Sequence, residues 1–101
     1  MSDTADNDAF WNLVDHFIEQ ANSACDDTDP SMVSAALLHA TARFNAFVVA
    51  ASSLDRKEYT EEIESARNYL TDRYRQQLSQ ELEDYRENYK VYVRADDPEA
   101  D

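Results

Sequence analysis

The chain has 101 residues, no glycine, two prolines and a formal net charge of −13 from 22 acidic and 9 basic residues. That length suits one domain with one modest core. The missing glycine excludes phosphate-cradling loops and argues against tight β-hairpins, and the strong negative field disfavours nucleic acid and anionic lipid. An all-α fold is what remains.

The N-terminal "MSDTADND" lacks a basic stretch followed by an apolar core, so it does not read as a secretory signal. Residues 1–7 are expected to be a disordered tail, followed by a single helical domain over 8–93. The first helix is expected from about Asp8 to Ala24, capped by Asn7 or Asp6. Phe10, Leu13, Val14, Phe17, Ile18 and Ala21 recur on one helical face, and Trp11 widens it. Asp15, Glu19 and Gln20 take much of the other side.

"CDDTDP" ends that pattern. Cys25 is the only cysteine, so no disulfide can form within the chain, and a reducing, cytoplasmic setting fits. A reactive thiol needs an electropositive setting, and Asp26 and Asp27 beside it argue against that role. The segment is not a calcium loop: it has no glycine at the sixth position and no glutamate at the twelfth. Asp29 followed by Pro30 is a helix start, a carboxylate cap and then proline at the first helical position.

The second helix is expected from Pro30 to about Ser53. Val33, Ala36, Leu37, Ala40, Phe44, Phe47, Val48 and Ala51 form a heptad-like seam. Ser34, Thr41, Asn45 and Ser52 make a narrow polar stripe, while His39 and Arg43 fall on the far side. The helix is apolar around most of its circumference, which predicts the buried centre of a bundle. Its length approaches that of a membrane span. His39, Arg43 and Asn45 near the middle, and the lack of a basic flank, argue against one.

A third helix is expected from a capping box at Asp55 and Glu58 to about Val93. Tyr59, Ile63, Ala66, Leu70, Tyr74, Leu78, Leu82, Tyr85, Tyr89 and Tyr92 form a slowly rotating stripe. Ser79 and Gln80 are its weakest point. Residues 94–101 read as an acidic tail.

No catalytic or metal-binding constellation is visible, and no cofactor is expected. His16 lies a turn from Glu19, but two histidines and no Glu-x-x-His pair make no di-metal bundle. His39, Arg43 and Asn45 are the candidate polar site. They read either as an anion-binding group or as a structural insert in which Arg43 pairs with Asp15 or Glu19 of the first helix. All six tyrosines lie between Tyr59 and Tyr92. They read as a seam whose rings pack while their hydroxyls reach water, or as a partner surface.

"FWNLVDHFIEQAN", "VSAALLHATARFNAFVVAASS" and "YLTDRYRQQLSQELEDYRENY" resemble the bacterial family called domain of unknown function 3144, over about Phe10 to Tyr92. The most specific part is "ARFNAFVVA", Ala42 to Ala50. The resemblance implies a small, helical, cytoplasmic bacterial protein. It implies no activity, cofactor or catalytic residue, so it carries no role over to Arg43, Phe44 or Asn45.

The expected architecture is an antiparallel helical hairpin plus a long third helix, completed by dimerisation. The hairpin is too short to cover the whole third stripe, which leaves Leu78, Leu82, Tyr85, Tyr89 and Tyr92 as the candidate interface. The expected function is a non-enzymatic, self-associating interaction module, a homodimer that also suits a basic protein partner. Two alternatives differ in class. One is a binder of an anionic small molecule, or an enzyme, using His39 and Arg43. The other is an acidic mimic that sequesters a basic nucleic-acid-binding protein; its carboxylates are irregularly spaced for that role.

Overall fold

The computed structural model describes residues 3–93, and these are all-helical with no strand among them. Three long helices, α1 (Asp3–Ala24), α2 (Pro30–Ser52) and α3 (Arg56–Glu87), are followed by a single turn, α4 (Tyr89–Tyr92). Two units emerge, one ending at Ser52 and the other beginning at Ser53.

In the first unit, α1 starts at Asp3, not near Asp8. Residues 3–7 are therefore part of the helix. Asp6 and Asp8 in the opening turns suit the positive end of the helix dipole, which supports the extension. The helix unwinds through tightened turns. The Cys25 N–H bonds both Ala21 O (3.2 Å) and Asn22 O (3.1 Å), and the Asp26 N–H bonds Ser23 O at 3.1 Å.

Asp29 then caps α2. Its Oδ1 accepts from the Ser31 N–H at 3.1 Å, and its carbonyl accepts from Met32 and Val33. Pro30 takes the first helical position, where no N–H is required. α1 and α2 touch each other, with Val14, Ala21, Cys25, Thr28 and Val33 half-buried. No residue of α2 is buried. The expectation of a buried central helix is not met within this unit, because a single neighbour cannot enclose a helix that is apolar on most sides.

In the second unit, Asp55 is the extended N-cap of α3, with φ −157° and ψ 179°. Its Oδ1 accepts from the Glu58 N–H at 2.9 Å. Glu58 reaches back, and its Oε1 accepts from the Leu54 N–H at 2.7 Å, one residue earlier than in the usual reciprocal box. α3 then runs unbroken for 32 residues through Ser79 and Gln80.

It stops at Asn88, so the third helix does not continue to Val93 as expected. The Asn88 side-chain amide donates to Asp84 O (3.0 Å) and to Asp84 Oδ1 (3.1 Å), beside the Asn88 N–H, which bonds Asp84 O at 3.0 Å. Its φ −121° and ψ 30° show a stop made without a left-handed residue. No described residue has positive φ. α3 thus closes without the left-handed residue that ends many helices. The acidic tail over 94–101 lies outside the described residues.

Candidate functional site

α2 carries the three residues of the candidate polar site, and their geometry separates them. His39 and Arg43, one turn apart, share a face and are exposed. Asn45 lies roughly 200° around the helix from Arg43 and is half-buried. The three do not converge on one point. Nor does Arg43 pair with Asp15 or Glu19; an ion pair forms instead on α3, between Arg86 and Glu83. An exposed guanidinium keeps its hydration and needs no carboxylate, which explains why the expected link is not made.

The polar stripe of α2 is partly consumed by the helix itself. Thr41 Oγ1 donates to Leu37 O at 2.9 Å, and Ser52 Oγ donates to Val48 O at 2.8 Å. These hydroxyls bond the preceding turn and are not aimed at a ligand. The flank between that stripe and the far-side pair of His39 and Arg43 is open and apolar. Phe44 and Phe47 remain 63% and 60% exposed, with ring centroids 5.9 Å apart. Leu37 and Val48 are exposed beside them.

α2 is also long and apolar enough to cross a membrane, by length and composition only. Near its middle stand His39 and Arg43. An arginine at the centre of a span is unfavourable by about 2.5–3.5 kcal/mol on the insertion scale.

The second candidate surface runs along α3. Tyr59, Ile63, Ala66 and Leu70 are half-buried, whereas every residue from 71 to 87 is exposed. Leu82 is 61% and Tyr85 46% exposed. Leu78 lies on the same helix, and Tyr89 lies beyond the interruption at Asn88. Tyr92 ends α4, and its side chain lies outside the described set. The row is therefore split: Leu78, Leu82 and Tyr85 share one helix, and Tyr89 belongs to another turn. Nearby, Ser79, Gln80, Glu83, Asp84 and Glu87 line a shallow concavity on one side of α3. Among the described residues, no group of three or more His, Cys, Asp or Glu side chains gathers as a metal site would need.

Charge is segregated by element, a pattern legible in the residues but absent from the sequence expectations. α1 holds five carboxylates (Asp3, Asp6, Asp8, Asp15 and Glu19) and no lysine or arginine. α2 holds no carboxylate, and Arg43 is its one charged residue with His neutral. The most apolar surface is thus also the one free of the negative charge that dominates the chain.

These features define a class, a small all-helical protein with an acidic surface and open apolar helix faces. Within it, the family described as "Protein of unknown function (DUF3144)" matches residues 10–86, and the chain belongs to that family. The match includes all of α2 and nearly all of α3. No curated protein and no solved structure matches the chain.

Proposed function

We propose that this chain is a small acidic interaction module that works by self-association, with α1 and α2 as an antiparallel hairpin and the bundle completed by a second copy. One observation supports this above others. No described residue is buried, while aromatic and aliphatic side chains on α1, α2 and α3 stand exposed. A leucine or phenylalanine gains about 1.5–3 kcal/mol from full burial, and apolar rows of this extent on a monomer mark sites of association. The reading takes α2 to face protein and not lipid, given Arg43 and His39 at its middle. It assigns no catalysis. The acidic surface suits a basic protein as a further partner.

Sedimentation equilibrium at micromolar concentration tests the reading. The expected mass is twice 11.6 kDa. A monomer across the accessible concentration range would refute self-association.

A further inference from the structure

We infer that the second copy covers the apolar face of α2, with α2 packed antiparallel on its counterpart about a two-fold axis and Arg43 of each chain paired with Asp15 of the other. This rests on the self-association reading and on the α1–α2 hairpin within it, and it moves the contact from the C-terminal row of α3 to α2.

Charge selects the occupant. A chain of net charge −13 repels its own copy over most of its surface. α2 is the exception, with no carboxylate in 23 residues. Two copies can approach through α2 without setting carboxylates against each other. A basic protein would instead be drawn to α1 or to the acidic end of α3, away from this face. A bilayer would have to accommodate Arg43 and His39 near the middle of the helix.

Size is consistent with a second copy. At about 200 Å² per phenylalanine, the exposed fractions of Phe44 (63%) and Phe47 (60%) amount to roughly 250 Å². Val33, Leu37, Ala40 and Val48 extend the same side of α2. Together they give a face of a few hundred Å² on each copy, the scale of the smaller interfaces below about 1,200 Å² in total. Homotypic packing is isologous, so one such face on each copy suffices.

Register selects the ion pair. α2 spans Pro30–Ser52, so a two-fold axis through its middle passes near Thr41. Arg43 of one copy then lies level with His39 of the other. In a hairpin turning through Cys25–Asp29, the α1 residue level with His39 is about Asp15. Arg43 and Asp15 are both exposed, and neither takes part in an ion pair within the described chain.

Charge exchange tests this. Arg43→Glu and Asp15→Arg are made singly, and far-ultraviolet circular dichroism verifies their helix content. Each alone is expected to raise the dimer dissociation constant at least about tenfold. An equimolar mixture of the two is expected to restore the dimer. In the mixed dimer the site of Arg43→Glu meets the site of Asp15→Arg with opposite charges, and the native Arg43 meets the native Asp15. A pair formed within one chain would stay broken in both variants, so a mixture that remains monomeric overturns the pairing between copies. Independently, Cys25→Ser/Ala40→Cys is expected to form an intermolecular disulfide on mild oxidation, since Ala40 lies beside the axis. A dimeric wild-type chain that neither cross-links at position 40 nor weakens in either charge variant refutes the α2 interface while self-association stands. A monomeric wild type fails the parent reading instead.

Discussion

At the scale of single residues, the sharpest determinants are caps. Asp55 satisfies an orphan N–H of α3 while Glu58 satisfies the Leu54 N–H, so the two close the start of the helix together. Asp55→Ala should lower stability by about 1 kcal/mol, and Asp55→Ser should restore most of the loss. Urea denaturation of the three proteins checks this; equal midpoints would show the cap to be idle. Both this cap and Asp29–Pro30 were legible, because carboxylate and proline positions have fixed geometric meaning at a helix start. Asn88 was not. An asparagine inside a helical pattern marks a stop only when its amide finds a partner, here Asp84, and that depends on a rotamer the sequence does not specify. Asn88→Ala should carry the helix through to α4, raising the amide-exchange protection of residues 88–92. Unchanged exchange there would assign the stop to some other cause.

At the scale of elements, three helices were readable from apolar periodicity because each keeps one turn signal and one spacing over many residues. What surrounds them was not readable. An all-round apolar helix looks the same in sequence whether its neighbours belong to its own chain or to another, so α2 was expected to be buried and has no buried residue. The spread of the candidate polar residues around α2 has a related reason. His39, Arg43 and Asn45 are close along the chain, but a helix turns Asn45 to another side. On α3, the weak point at Ser79–Gln80 holds, as no turn residue is present to reverse the chain. Spin labels at positions 60 and 82 should report a single narrow distance near roughly 33 Å. A much shorter distance would mean that α3 folds back. If α2 is the self-contact, Leu82→Asp and Tyr85→Asp should leave the assembly intact, as read by light scattering; dissociation by either would return the interface to α3.

At the scale of the whole molecule, the net charge of −13 opposes compaction and association alike. The melting temperature should rise between about 10 mM and 200 mM salt as the Debye length falls from roughly 30 Å towards 8 Å. A falling curve would show that favourable ion pairs, such as that of Arg86 with Glu83, outweigh the net repulsion. The carboxylate-free α2 has a further consequence, for colloidal behaviour. At neutral pH the acidic surface restricts which sides of two molecules can meet, so the exposed parts of the α1 and α3 rows are shielded by repulsion. Acidification towards the isoelectric point near 4.3 removes that restriction. Contacts along every apolar row then become permissible, and discrete assemblies should give way to polydisperse particles and a solubility minimum. Dynamic light scattering from neutral pH down to the isoelectric point should show size heterogeneity growing as the net charge is titrated away.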